Sequence, residues 1–212
     1  YHRCGGPPGS AGGFAGDRLM AIAGDERGDG LWGTLQHEGF HQFAWYCISK
    51  RLPIWVNEGL AEYFGSAIWT GDGFVAGLVP PGRLKALREL IEAGAIMPFL
   101  EMLQMDHQAW NAALSARNYT QAWSMVHFLV HAEDGKYRAA FSGFINDVAA
   151  RKPWENAFIA RFGRNTKTFE QRYAEWWTSL PANPTAELYV QAAVQTLTSF
   201  LARAHCRGEK FP

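Results

Sequence analysis

Two short segments constrain this chain more than any other feature: HEGFH at residues 37–41 and WVNEGLAEY at residues 55–63. Residues four apart lie on one face of a helix, so His37 and His41 can converge on one metal ion while Glu38 projects beside them. A catalytic zinc usually has three protein ligands and a water. We predict that Glu58, seventeen positions after His41 (58 − 41), is the third ligand.

The spacing of these ligands calls for two helices joined by a turn. We predict the first helix over about residues 31–49. Pro53 lacks a backbone N–H and disfavours helical geometry in the residue before it, so the chain turns there. A second helix, over about residues 53–69 or 57–69, places Glu58 and Glu62 four apart on one face. The two helices can then pack with their carboxylates directed at the histidines.

Cys47 is the alternative third ligand. In the metzincin pattern a glycine and a third histidine follow the second histidine, but here Ala44 and Cys47 occupy those positions. Without the glycine the helix continues and turns Cys47 away from the metal, so Glu58 is preferred. Cys47 is then interpreted as a small buried residue of the same helix.

The segments HEGFH and WVNEGLAEYF resemble the gluzincins, the zinc-peptidase clan that includes thermolysin and the M1 aminopeptidases. Segments at residues 12–14, 118–123 and 176–177 are similar to uncharacterised bacterial families described as peptidase-MA-like. The resemblance implies an α+β, predominantly α fold: short edge strands, the two zinc helices, and a helical C-terminal part. It also implies one Zn²⁺ per chain. The chain lacks the Gly-x-Met-Glu-Asn segment of the M1 enzymes, so aminopeptidase activity is not supported.

Four more residues have both a functional and a structural interpretation. Glu62 accepts the outer N–H of a zinc-bound histidine in the first interpretation and is a solvated surface residue in the second. Tyr119 either stabilises an oxyanion, as a tyrosine does in the resembling families, or closes the core above Trp123. His127 either points toward the cleft or is a hydrogen-bonded core residue. Asn57 is predicted to cap its helix.

The remaining elements are predicted from turn residues and apolar periodicity. Residues 1–13 are interpreted as loop and 18–23 as a strand, which either holds an extended peptide at its edge or has a structural role only. Helices are predicted over about 83–93, 98–105 and 119–132, the last with Asn118 and Gln121 as a capping box. Later apolar stripes are predicted to face the core, the last of them being Leu188, Val190, Val194, Leu197 and Leu201.

Composition excludes several classes of partner. Twenty Lys and Arg balance twenty Asp and Glu among 212 residues, which argues against nucleic acid or an anionic membrane, since both attract a basic excess. No apolar run approaches the roughly 20 residues of a membrane span. We predict a single domain over 1–212 with an upstream region missing, and favour a secreted, periplasmic or membrane-anchored bacterial protein. Three cysteines fit no zinc ribbon, and pairing of Cys4 with Cys206 stays open.

The leading hypothesis is a zinc-dependent peptidase that acts on peptides or proteins, with Glu38 as general base. One alternative is a binding or scaffold protein that retains the gluzincin fold and the zinc site without turnover. Another is a structural zinc protein, which is disfavoured because a closed structural site usually has a fourth Cys or His ligand.

Overall fold

The computed structural model describes residues 11–15, 18–22, 29–113 and 115–209. Strands β1 (Gly12–Ala15) and β2 (Arg18–Ala21) form an antiparallel ribbon in which Gly12 pairs with Ala21. The predicted strand is thus confirmed over Arg18–Ala21, and its last residue lies outside the described part. The loop prediction was wrong for residues 12 and 13, which belong to β1, and it cannot be compared over 1–10, which are not described.

The two helices predicted to carry the histidines and Glu58 form, with different ends. Helix α1 (Asp29–Phe43) continues into one turn of π-helix (Ala44–Ile48), closed by a 2.9 Å hydrogen bond from the N–H of Ser49 to the carbonyl of Ala44. Such wider turns often occur at functional sites. Helix α2 (Ile54–Gly65) begins directly after Pro53, where the missing N–H costs nothing.

Helix α2 ends earlier than predicted, and its start is not capped by Asn57. Residues Ile68–Trp69 form β3, which pairs with β4 (Phe74–Val75) in a hairpin. Asn57 lies inside α2 and its backbone N–H donates to the carbonyl of Pro53 at 3.0 Å. Both the extension to residue 69 and the capping interpretation of Asn57 were therefore wrong.

The rest of the described chain is helical, as the predicted fold class requires. The helices are α3 (Pro81–Glu92), α4 (Phe99–Gln104), α5 (His107–Ala113), α6 (Ala116–Gly135), α7 (Arg138–Ala149), α8 (Trp154–Phe162), α9 (Thr166–Ser179) and α10 (Ala186–Cys206). Helix α5 was not predicted. The predicted capping box at Asn118 and Gln121 was wrong. The residue that caps α6 is Ser115, directly before the helix, and its hydroxyl accepts a hydrogen bond from the N–H of Arg117 at 3.2 Å. Gln121 is instead buried and bonds both backbone groups of Met97.

Helix α2 is packed closely between α1 and α6, and glycines make this possible. A Cβ on Gly65 would lie 3.3 Å from the carbonyl oxygen of Gly33 in α1. On the opposite side, a Cβ on Gly59 would lie 2.5 Å from the carbonyl oxygen of Ala122 in α6. A methyl group at position 59 would force the helices apart. Both approaches hold the glutamates of α2 next to the histidines of α1.

The hydrophobic core against which α2 packs is rich in aromatic rings. Its largest fully buried side chains include Trp55, Trp123, Trp177 and Phe144. Each such ring removes 150–250 Å² of surface from water, so these few residues supply a large share of the burial free energy. Among the described residues, no helix is both long enough and apolar enough to cross a membrane.

Candidate metal centre

Three side chains from α1 and α2 bring their donor atoms to one point. Nε2 of His37 and Nε2 of His41 lie 3.0 Å apart. Oε2 of Glu58 lies 3.3 Å from the first of these nitrogens and 3.5 Å from the second. The three residues can hold a metal ion together. The predicted convergence of the two helices therefore places all three side chains as the sequence suggested.

The triangle of donor atoms has the size that zinc requires. Donors bound tetrahedrally at about 2.0–2.1 Å from one zinc stand about 3.3–3.4 Å apart, close to the observed sides of 3.0, 3.3 and 3.5 Å. Oε2 of Glu58 is also buried, and it lies within 3.5 Å of Nε2 of both His37 and His41. A buried carboxylate needs a balancing positive charge, which either a protonated histidine or a cation at the centre of the triangle supplies.

The carboxylate of Glu62 and the guanidinium of Arg83 lie on the Nδ1 side of His37, away from the triangle. Nδ1 of His37 lies 3.1 Å from Oε1 of Glu62, so this ring nitrogen is the donor and Nε2 is left to face the other ligands. The second oxygen of Glu62 accepts a hydrogen bond from Arg83. Glu62 is partly buried and engaged on both oxygens, which does not fit the solvated surface interpretation.

The two carboxylates dominate the electrostatics of the cluster. Burial by itself lowers the pKa of His37, but hydrogen bonds and charge from Glu58 and Glu62 outweigh burial and raise this pKa to about 10. Burial raises the pKa of Glu58, yet the two histidines outweigh it and lower this pKa to about 2. In the absence of metal the site thus favours a positive charge between its carboxylates, which is also what a bound cation would supply.

Glu38 lies beside the triangle without belonging to it. The residue is 7% exposed, and burial raises the pKa of its carboxyl group, an effect that the charges of His37 and His41 oppose. Strand β1 covers it closely: a Cβ on Gly12 would lie 2.9 Å from Cγ and 3.0 Å from Oε1 of Glu38. A carboxyl with a raised pKa at the edge of a metal site suits proton transfer near neutral pH.

Tyr119 lies near the cluster, in the first turns of α6. Its ring centroid is 6.3 Å from that of His37 and 5.1 Å from that of Trp110. Burial and the nearby carboxylate of Glu58 raise the pKa of Tyr119, so the hydroxyl remains protonated and able to donate. The residue is half-buried and lines the cleft. The core interpretation placed it above Trp123, whereas the core ring that it contacts is that of Trp110.

An open cleft of about 1090 Å³ surrounds these groups. Several residues that line the cleft were not predicted to do so from the sequence: Gly13 and Phe14 from β1, Trp45 from the π turn, and Arg83 from α3. His107, which had no spacing to recommend it, lines the cleft because the unpredicted helix α5 brings it there. Gly13 and Phe14 belong to the segment 12–14 that resembles the peptidase-MA-like families, and Trp45 follows His41 by four positions, but no local pattern predicted that these residues line a cleft, which depends on how the elements pack.

Two candidates do not reach the cluster, and one lies outside the described residues. Cys47 is exposed on the π turn and is not part of the metal-binding group, so its interpretation as a buried residue was wrong. His127 is 3% exposed and lies in the core, where its Nε2 is 3.1 Å from the carbonyl oxygen of Gly77. The structure agrees with its core interpretation. The pairing of Cys4 with Cys206 falls on residue 4, which the structure does not describe.

One sequence family matches the chain. Its description is "Protein of unknown function (DUF1570)", and the match covers residues 32–155, more than half of the 212 residues. The matched region begins in α1 and so includes every donor of the cluster together with Glu38, Glu62 and Tyr119. No curated protein and no solved structure gives a significant match to the chain.

Proposed function

The chain belongs to the DUF1570 family, and we propose that it is a zinc-dependent peptidase whose active site is the cleft around His37, His41 and Glu58. The observation that supports this most is the triangle of donor atoms, which has the size of a zinc site and brings the buried Oε2 of Glu58 to both histidine nitrogens. Three protein ligands from two helices leave a fourth position open to the cleft, as in catalytic rather than structural sites.

The residues around the triangle divide the chemistry of peptide hydrolysis between them. Zinc bound there would polarise the scissile carbonyl and lower the pKa of a water molecule. Glu38 takes the proton of the attacking water and passes it to the leaving amine. Tyr119 donates its hydroxyl to the oxyanion that develops on the former carbonyl oxygen. Glu62 orients His37, and Arg83 holds Glu62 in place.

The shape of the cleft supports a peptide as substrate. Gly13 and Phe14 of β1 line the cleft next to Glu38. Among the described strands, β1 is hydrogen-bonded to β2, so this wall of the cleft is an extended backbone segment. Hydrogen bonds between extended backbones favour peptides over compact small molecules. The resemblance of both zinc segments to the gluzincins agrees with this proposal.

A digestion experiment tests the proposal. Purified protein is incubated with a mixed peptide library, alone, with a chelator, and with the chelator followed by zinc, and the products are identified by mass spectrometry. We expect cleavage that the chelator abolishes and zinc restores. Cleavage that persists in the chelator would contradict the metal-dependent mechanism.

Glu38→Gln is the matched variant, since it preserves the size of the side chain and removes its basicity. We expect it to bind zinc normally, to unfold at the wild-type temperature, and to cleave nothing at a measurable rate. Cleavage by this variant at a near wild-type rate would show that another group moves the proton. Tight zinc binding by a wild-type protein that cleaves no peptide would favour a binding or scaffold protein instead.

A further inference from the structure

Helix α10 has an apolar stripe on the side that faces away from the protein body. Its inner face packs on the β3–β4 hairpin, where Ser199 is buried and Arg203 donates to the carbonyl of Gly71 at 3.1 Å. The opposite face exposes Val190, Val194, Leu197 and Leu201, with exposed fractions between 38% and 64%. The prediction that these residues face the core was therefore wrong.

The four residues have the spacing of a helix-pairing seam. They follow one another at intervals of four, three and four residues, which is the alternation of the d and a positions of a heptad repeat. On an ideal helix this row lies opposite the row formed by Ala192 and Ser199. No described residue covers the stripe, and an apolar row of this regularity in water indicates a partner helix.

The stripe is complementary to itself when a second copy runs antiparallel to it. About a two-fold axis between residues 195 and 196, Val190 faces Leu201 of the other copy, and Val194 faces Leu197, so each layer combines a small with a large side chain. The charges at the two ends of the helix are complementary as well. Glu187 in the first turn lies next to His205 in the last turn of the other copy, and the two helix dipoles point in opposite directions.

A parallel pair lacks these advantages. It places Glu187 against Glu187 and His205 against His205, and it aligns the two dipoles in the same direction. We therefore propose that the protein forms a homodimer by antiparallel pairing of α10 with α10 of a second copy. No residue of α10 lines the cleft, so the proposed pairing does not depend on the proposed function.

The size of the seam determines how strong the dimer is. Helix α10 has 21 residues and is about 32 Å long, and the seam has four apolar layers. Such a contact is at the small end of specific protein interfaces. We expect a dimer that forms at micromolar concentration and dissociates on dilution.

Sedimentation velocity over a concentration series tests the dimer. The wild-type protein should shift from monomer to dimer as concentration rises, whereas Val194→Glu should stay monomeric at every concentration. Gln195→Glu is the matched control, since it adds the same charge at an exposed neighbour outside the stripe and should dimerise like the wild type. Far-UV circular dichroism and the melting temperature verify that both variants are folded.

Disulfide trapping tests the direction of pairing. In a background where Cys4, Cys47 and Cys206 are replaced by serine, Val190→Cys and Leu201→Cys proteins are oxidised separately and as a mixture. Antiparallel pairing predicts disulfide dimers in the mixture only, because equal positions then lie about 16 Å apart. Self-linking of the Val190→Cys protein alone would show parallel pairing and overturn the proposed arrangement.

Three other results would overturn the dimer itself. The first is a protein that remains monomeric at all concentrations. The second is a dimer that Val194→Glu does not weaken, which would place the interface elsewhere. The third is a monomer in which a cysteine introduced at position 194 is protected from a maleimide reagent, which would show that another segment of the same chain covers the stripe.

Discussion

The protein has two pairs of histidines with the same four-residue spacing on helices, His37 and His41 on α1 and His127 and His131 on α6. Their environments are opposite. The first pair faces the carboxylates of α2 and forms a triangle with Glu58. Burial by itself lowers the pKa of His37, but the hydrogen bonds that this ring donates to the carboxylates outweigh burial and raise the pKa to about 10.

The second pair lies among aromatic rings. The ring of His127 is 5.6 Å from that of Trp123 and 5.3 Å from that of Trp177, and Nε2 of His131 is 2.9 Å from the hydroxyl of Tyr63. Burial lowers the pKa of His127 to about 3 and that of His131 to about 4. Helix α2 is adjacent to both pairs. It presents carboxylates to one and a phenol to the other, so the spacing of the histidines does not by itself determine their chemistry.

The largest effect is expected when the first pair loses Glu58, the proposed third ligand. Glu58→Ala leaves two histidines without a third donor, and we expect its zinc affinity to fall by more than the 10- to 100-fold typical of losing a supporting contact. Metal analysis after dialysis should find about one zinc per wild-type chain and little in the variant. Glu101→Ala, at an exposed position of α4, is the control. Full zinc occupancy in the Glu58→Ala protein, or a bond from Cys47 to the metal, would refute the ligand assignment.

The next largest effect concerns Tyr119, one of two candidate residues on α6. Tyr119, near the start of the helix, lines the cleft, whereas His127, near its middle, is in the core. Tyr119→Phe removes only a hydroxyl, and losing one oxyanion donor should lower kcat by roughly 10²-fold. Zinc content and melting temperature should not change. A kcat within about threefold of the wild type would return Tyr119 to the structural interpretation and make His107 the next donor to test.

The third prediction uses pH to distinguish the pairs in metal-free protein. Because the folded-state pKa of His127 is about 3, against about 6.5 when unfolded, the unfolded chain binds more protons in this interval. The free energy of unfolding should thus decrease on acidification from pH 6.5 to 4.5, by about 2 to 3 kcal/mol for His127. In the same interval Glu58 and His37 retain their stabilising charges, since their pKa values are about 2 and about 10.

Urea unfolding at several pH values measures this dependence. His127→Gln should reduce the decrease without abolishing it, whatever its effect on stability at pH 7, because the pKa of His131 is also lowered, to about 4, and this residue contributes to the same decrease. Asn156→Gln, at an exposed position of α8, is the control and should leave the slope unchanged. An equal slope in wild type and His127→Gln would show that another group binds the proton.

The smallest effect concerns the contact behind His37. Glu62→Gln keeps the shape but weakens the acceptor for Nδ1 of His37 and for Arg83. We expect a 10- to 100-fold loss of zinc affinity without loss of the fold, the range for supporting contacts of metal ligands. Competition with a chelator of known affinity measures it. A loss as large as that of Glu58→Ala would indicate that Glu62 itself is a ligand.

Local sequence predicted the parts of the fold that depend on neighbours along the chain. The four-residue spacing placed His37 and His41 on one face, and Pro53 marked the turn before α2. The ends of elements were less predictable. The π turn at Ala44–Ile48 and the start of α6 at Ser115 are determined by small differences in hydrogen bonding, to which periodicity is insensitive. Helix α5 has seven residues and Trp110 as its one large apolar side chain, so it is too short to produce a periodic signal.

What the sequence alone determined is which side chains share a helix face, because that follows from 3.6 residues per turn. It thereby indicated His37, His41, Glu58 and Glu62 before any tertiary contact was known. Only the tertiary structure decided what lies opposite each face. The close approach of α1 to α2 at Gly33 and Gly65 brings the donor atoms together. Arg83, which binds Glu62, is 21 positions away from it in the sequence. The regular apolar stripe of α10 faces solvent. The physical reason is that burial depends on the partner surface, which periodicity along one helix does not identify.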